Sequence, residues 1–197
     1  MITACLDLEG VLIPEVWQNV ARRTGIDDLM LTTRDIPDYD ELMRKRLAIL
    51  REHTLTIHDI QAAIATMEPL DGAYGFLQEL RRSVQVIILS DTYIEFMPSF
   101  MKQLGYPTLF CNSLETTPDG AVSAYHLRVP KGKLAAVTAL RALRFEVRAA
   151  GDSYNDLEMI QAAHKGAFFR SPETIRNEYP AYPAFTEYAD LLAFLTE

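Results

Sequence analysis

Ile2-Thr3-Ala4-Cys5-Leu6-Asp7-Leu8-Glu9-Gly10-Val11 opens the chain with a short apolar run that stops at two carboxylates two residues apart. An apolar run of that length, bounded by acids and a glycine, reads as a buried strand giving way to a loop. Similar runs recur at Val84 to Leu89, Thr108 to Cys111, Val147 to Ala150 and Gly166 to Phe169, with helical patterns between them. Strands alternating with helices predict an α/β fold: a parallel sheet with helices on both faces. Ligands of such sheets lie beyond the C-terminal ends of the strands. Asp7 follows the first run, Ser90 and Asp91 the second, and Asp152 the fourth, so all four should converge on one edge.

Between the first two strands, residues 14–71 read as wholly helical and longer than a crossover needs, which predicts a small helical cap inserted into a core of residues 1–13 and 72–197. Pro14 is placed to begin a helix and Gly25 to close it. Asp38 with Glu41, and Thr56 with Asp59, form capping-box patterns before two further helices, the first running to about Glu52. Pro69 ends the excursion, and a helix from Gly72 to Arg82 leads into the second strand. Thr116-Thr117-Pro118-Asp119-Gly120 is turn chemistry, predicting a small peripheral hairpin that reaches about Arg128. Pro172, Pro180 and Pro183 break up the tail before a last helix from Tyr188 to Leu195.

With 197 residues, 49% of them apolar, the chain can bury a full core. A net charge of -8 leaves no basic footprint for nucleic acid or for an anionic membrane, so neither is expected as a partner. An acidic chain that handles phosphate must concentrate cations locally, through a metal ion and a few placed lysines or arginines. Cys5 and Cys111 read as reduced packing residues, which points to the cytoplasm. No apolar run approaches the roughly 20 residues of a membrane span, and Met1 to Cys5 has no export-signal character. His53, His58, His126 and His164 share no zinc-ligand spacing. Trp17, Met30, Met43 and Met67 are expected to line the cap interior or its seam with the core.

The pair Asp7 and Glu9 offers a nucleophile and a group that protonates a leaving alkoxide and later activates water. Taken alone, two acids at a strand end are more often solvated or capping. Ser90 offers a hydroxyl and backbone N-H groups to phosphate oxygens, or else caps a helix. Lys133 begins a helix reaching about Leu143, where the dipole disfavours a cation; anchoring a phosphate would account for it, as would chance placement on the surface. Gly151-Asp152-Ser153-Tyr154-Asn155-Asp156 packs two acids and an amide into one turn after a strand, a setting for a hard cation, and magnesium suits it better than calcium.

These four elements, in order and spacing, resemble the haloacid dehalogenase (HAD) superfamily of phosphatases and phosphotransferases across nearly the whole chain. Within it, the chain is most similar to phosphoserine phosphatases with a helical cap, in particular the ThrH-like subgroup that also transfers phosphate to homoserine. Asp7 to Leu12 with Pro14-Glu15, Thr32 to Asp40, Ile88 to Thr92 and Ala150 to Asp156 carry that closer match. The resemblance implies a HAD-like Rossmannoid core, an aspartyl-phosphate on Asp7, Glu9 as general acid and base, and magnesium held by Asp7, Glu9 through its backbone carbonyl, and Asp152. Ser90, Asp91, Lys133 and Asn155 would border or hold the phosphoryl group, with Asp156 orienting Lys133 or a metal-bound water. In the cap, Glu15 would meet the substrate ammonium, Arg46 its carboxylate, and Tyr39 would add an aromatic contact. The implied substrate is O-phosphoserine, with homoserine as a second acceptor and a homodimer as the assembly considered. Two departures stand out: Glu9 replaces the commoner aspartate, and Asp91-Thr92 replace two glycines. The competing readings are a superfamily enzyme for another small phosphate ester, and a phosphate-binding regulatory module without turnover.

Overall fold

The computed structural model describes residues 1–32, 35–36 and 38–197. Thr33, Arg34 and Pro37, part of the Thr32 to Asp40 stretch that carries the closer resemblance, lie outside the described residues. The first strand, β1 (Ile2–Leu6), is followed by three helices, α1 (Val16–Thr24), α2 (Tyr39–Glu52) and α3 (Ile57–Ile64), with a short 3-10 turn at Asp27–Met30. Then come α4 (Ala73–Ser83), β2 (Gln85–Tyr93), α5 (Pro98–Gln103), β3 (Thr108–Thr116), β4 (Val122–His126) and α6 (Gly132–Ala142). The chain finishes with β5 (Glu146–Gly151), α7 (Leu157–Ala162), β6 (Lys165–Phe169), α8 (Glu173–Glu178), β7 (Ala184–Phe185) and α9 (Tyr188–Thr196).

The strands form a seven-stranded sheet in the order β4-β3-β2-β1-β5-β6-β7, parallel except for the β3/β4 hairpin. The expected α/β architecture is therefore the observed one. β1 lies between β2 and β5, with Leu6 level with Ile88 and Ala150. Asp7, Ser90 and Asp152 are delivered to one edge by that register. Because successive strand side chains face opposite ways, β1 divides its residues between two cores. Ala4 and Leu6 join a large cluster with α4, α9 and the helices between β1 and β2. Cys5 packs with Val137 of α6 and Met159 of α7 on the other face.

The capping signals behave as local chemistry dictates. Asp38 accepts the Glu41 N-H at 2.8 Å, and Thr56 and Asp59 exchange both bonds of a capping box. Gly25 closes α1 at φ 71°. Pro14, however, stands outside the helix: α1 begins at Val16 with Glu15 as its N-cap. The second strand also runs on past Leu89. Pairing to β3 pauses between Leu89↔Phe110 and Tyr93↔Asn112, so Ser90, Asp91 and Thr92 form a bulge in a continuing strand. Ser90 caps no helix; its Oγ accepts the Thr92 N-H at 3.2 Å inside this bulge.

Cys111, expected at a strand end, is inside β3, which extends to Thr116 because β4 pairs with it. The hairpin is also not peripheral. Gly120 O accepts the Ile57 N-H at 2.8 Å, Ser123 O accepts from Arg51 at 3.0 Å, and the Tyr125 ring packs edge-on to Tyr39 at 6.0 Å. It braces α2 and α3 against the sheet. Trp17, Met43 and Met67 are buried as expected, but Met30 is 38% exposed, because the 3-10 turn points Leu29 inward instead.

Candidate active site

At the sheet edge the ends of β1 and β5, the bulge in β2 and the start of α6 supply the charged centre. Asp7 is held where β1 ends by its own N-H, which donates to Ala150 O at 3.0 Å. Its Oδ1 receives the Leu8 N-H at 2.8 Å and lies 2.9 Å from Lys133 Nζ. Lys133, buried at the second residue of α6, also meets Asp156 at 2.7 Å and Asp91 at 3.6 Å. Those three carboxylates explain a cation at a helix N-terminus. Burial works against the Lys133 charge, but Asp156, Asp7 and Asp91 outweigh it and raise its pKa well above the ordinary lysine value.

Asp156 is fully buried. Its Oδ2 accepts the N-H groups of Asp152 and Ser153 at 3.0 and 3.1 Å, closing the turn after β5. Gly151 permits this packing: a β-carbon there would fall 2.2 Å from Asp156 Cγ. Gly10 does the same for Asp152. It adopts φ +75°, and a side chain would fall 2.5 Å from the Asp152 carboxylate. Asn155 donates to Asp91 Oδ2 at 3.1 Å and pairs with Ser153 Oγ.

Among the described residues, oxygens of Asp7, Asp152 and Asp156 lie within 4.8 Å of one another. The Asp156 oxygens are already engaged by Lys133 and two backbone N-H groups. Burial and the neighbouring Asp156 raise the Asp7 pKa despite Lys133. Burial, Asp156 and Glu15 push Asp152 up to about 7. Crowded carboxylate oxygens whose charges oppose one another are the environment a hard divalent cation relieves, so the residues fit magnesium. The Glu9 carboxylate stands outside this cluster, and its Oε2 accepts the Val16 N-H at 2.9 Å. Glu9 thus tethers the start of α1 while facing the cavity. Burial and the nearby Glu15 push its pKa up to about 8.

The cavity above this edge has a volume of about 310 Å³. Asp7, Glu9, Glu15, Tyr39, Arg46, Ser90, Asp91, Lys133, Asp152 and Asn155 all line it, so these expected residues are brought together, with Asp156 directly behind them. Arg46 is buried, 4.7 Å from the Trp17 ring centroid. It donates to Leu31 O at 2.8 Å, and its Nε finds no partner among the described residues. Burial lowers its pKa while Tyr39, Glu9 and Glu15 act to raise it. Tyr39 hydrogen-bonds the Tyr93 hydroxyl at 2.7 Å and the Asp91 carbonyl at 3.2 Å. Burial pushes its phenol up to about 12.

Gln18, Thr32, Leu42, Thr92 and Ser153 also line the cavity and were not expected to. Gln18 stands one helical turn beyond Glu15, and Thr92 two strand residues beyond Ser90, so both were within reach of periodicity. No comparable signal marked Thr32.

Residues 3–164 match a family described as haloacid dehalogenase-like hydrolase. A Pseudomonas aeruginosa protein named phosphoserine phosphatase ThrH is 52% identical over 191 residues, covering 97% of this chain and 93% of that one. A Pseudomonas syringae pv. tomato protein named phosphoserine phosphatase is 50% identical over 188 residues, covering 95% and 79%. The fold is shared with a solved structure of a phospho-aspartyl intermediate analogue of phosphoserine phosphatase, at TM-score 0.79 and 19% identity over 98% of each chain. With the family match spanning most of its length and more than half of the aligned residues shared with a nearly full-length relative, the chain belongs to the haloacid dehalogenase-like hydrolases.

Proposed function

We propose that this chain is a magnesium-dependent phosphoserine phosphatase that works through an aspartyl-phosphate on Asp7 and also passes the phosphoryl group to homoserine. The observation that carries this reading is the charge layout of one 310 Å³ cavity. A buried Asp7 and Lys133 lie at its floor, 2.9 Å apart. A buried guanidinium, Arg46, and the Glu15 carboxylate line the same cavity. O-Phosphoserine carries a phosphate, a carboxylate and an ammonium, and the layout meets each with the opposite charge. A guanidinium's planar fork suits a carboxylate better than a lysine would. The names of the two Pseudomonas relatives point the same way.

In this mechanism residues 14–71 cap a core of 1–13 and 72–197, and the substrate binds between them. Asp7 and Asp152, with the Glu9 carbonyl, would hold magnesium, which when bound neutralises phosphoryl oxygens and the acids around them. The Asp7 carboxylate attacks phosphorus in line with the departing serine oxygen, and the P–O bond to serine breaks as the acyl phosphate forms. Glu9 delivers its proton to that serine oxygen. Lys133, Ser90 and Asn155 donate hydrogens to the transferring group, and Asp156 keeps Lys133 pointed at it. In the second half Glu9, now a carboxylate, takes a proton from water or from the homoserine hydroxyl as it attacks the phosphorus, and Asp7 is restored. Exclusion of water by the cap decides between the two acceptors. Serine and homoserine metabolism would place the enzyme in the cytoplasm.

The test is a substrate screen with magnesium: O-phosphoserine should release phosphate, and added homoserine should divert part of it into phosphohomoserine. Asp7→Asn should abolish both products and all covalent labelling by the phosphoryl group. Undiminished turnover by Asp7→Asn would refute the mechanism, and a preference for sugar phosphates or nucleotides unaffected by Arg46→Ala would refute the substrate.

A further inference from the structure

Asp91 lines the phosphate end of the cavity, yet its carboxylate has no hydrogen to offer a phosphoryl oxygen when ionised. Its surroundings suggest a different part. The side chain, 41% exposed, accepts from Asn155 Nδ2 at 3.1 Å and lies 3.6 Å from Lys133 Nζ. These are two of the donors expected to receive phosphate. Its backbone is pinned from two sides, with the carbonyl accepting from the Asn112 amide at 3.1 Å and from the Tyr39 hydroxyl at 3.2 Å. Tyr39 belongs to α2 and shares a second bond with Tyr93, two residues beyond Asp91 on β2. The bulge that carries Asp91 is therefore locked both to β3 and to the helical insertion.

We propose that Asp91 is a positioning residue whose carboxylate stands where a phosphoryl oxygen will stand, keeping Lys133 and Asn155 aimed before substrate arrives and repelling free phosphate after it is released. This rests on the phosphate-ester reading of the site. Removing the acid would leave two donors without an anchor; keeping its shape without its charge would leave the anchor and remove the repulsion. Those two changes act in opposite directions on phosphate, which a purely structural residue would not do.

Asp91→Asn retains an oxygen for Asn155 and loses the charge, whereas Asp91→Ala loses both. Calorimetric titration of inorganic phosphate into each protein with magnesium present reads the difference without any turnover. Asp91→Asn should bind phosphate about fivefold more tightly than wild type, and Asp91→Ala about tenfold more weakly than Asp91→Asn, changes that correspond to about 1 and 1.4 kcal/mol. With phosphoserine, phosphate should become a correspondingly stronger product inhibitor of Asp91→Asn. The proposal is overturned by two variants that bind phosphate alike, by Asp91→Asn binding no tighter than wild type, or by a wild type that binds none. Should the alanine variant not fold, the comparison of Asp91→Asn with wild type decides. A wild type that binds phosphate but hydrolyses no ester would sink the phosphatase reading and leave this comparison standing.

Discussion

Two lysines two residues apart make ion pairs of nearly the same length and should differ several-fold in what they contribute. Lys131 Nζ meets Glu158 at 2.6 Å, with side chains 65% and 50% exposed. Lys133 Nζ meets Asp156 at 2.7 Å and Asp7 at 2.9 Å, with all three side chains 6% exposed or less. Exposed pairs are worth about 1 kcal/mol or less, because water and salt screen both states. Removing one partner of a buried pair costs about 3–5 kcal/mol, since the charge left behind has neither water nor a counter-ion. Lys133→Met, which keeps the buried stem, should therefore destabilise the chelator-treated protein by about 3 kcal/mol or more, and Lys131→Met by about 1 kcal/mol at most. For a chain of this size the first corresponds to a fall of about 6–20 °C in Tm, and the second to about 4 °C or less. Denaturant unfolding with EDTA measures both. Magnesium should return part of the loss in Lys133→Met, because an ion that binds only the folded state stabilises it by mass action. Equal losses in the two variants would refute the assignment of Lys133 as the counter-ion of a buried acid cluster.

Gly151→Ala should push Asp156 aside, at about 1–3 kcal/mol for overpacking together with a large drop in turnover, whereas Gly75→Ala, where among the described residues nothing beyond its own stretch of helix lies within 4 Å of the added carbon, should gain about 0.5–1 kcal/mol; urea midpoints compare the two. Arg46→Ala should raise KM for phosphoserine by about ten- to a hundredfold, the size of a charged hydrogen bond, and leave phosphoethanolamine, which lacks the carboxylate, within about threefold of wild type. Equal losses on both substrates would place Arg46 elsewhere in the reaction. Cys5 and Cys111 should resist maleimide at neutral pH, because burial pushes their thiols up to about 12 and about 11 and leaves little thiolate; mass spectrometry should find both labelled only after denaturation.

What the sequence made legible was local. A polar residue at or just beyond the end of an apolar run is visible within ten residues, and Asp7, Ser90 and Asp152 were placed by that signal. What was missed depends on partners far along the chain. The bulge at Ser90 to Thr92 exists because β2 must resume its pairing with β3 at Asn112, and the length of β3 is set by β4. The bracing role of the hairpin arises from Arg51, Ile57 and Tyr39, which precede it by more than 60 residues. Glu9 had been open to two interpretations, capping or chemistry, and its carboxylate does cap α1 from seven residues away while lining the cavity. Arg46 was assigned through the family resemblance, and periodicity also marks it: it shares a helical stripe with Leu42 and Leu50, both buried, whereas its neighbours Arg44 and Lys45 are exposed.

The central position of β1 shapes how the molecule comes into being on the ribosome. β1 is flanked on one side by β2, which ends at Tyr93, and on the other by β5, which ends at Gly151, so both of its neighbours are made after it. The loop that follows β1 is fastened still later, when Tyr188 of the last helix donates its hydroxyl to Val11 O at 2.6 Å. During synthesis Asp7 therefore waits for Lys133, then for Asp156, and finally for the C-terminal helix, which pins its loop. A chain halted before β5 carries Asp7 and Glu9 without the frame that gathers them, and leaves the edge of β1 that β5 would cover open to other strands.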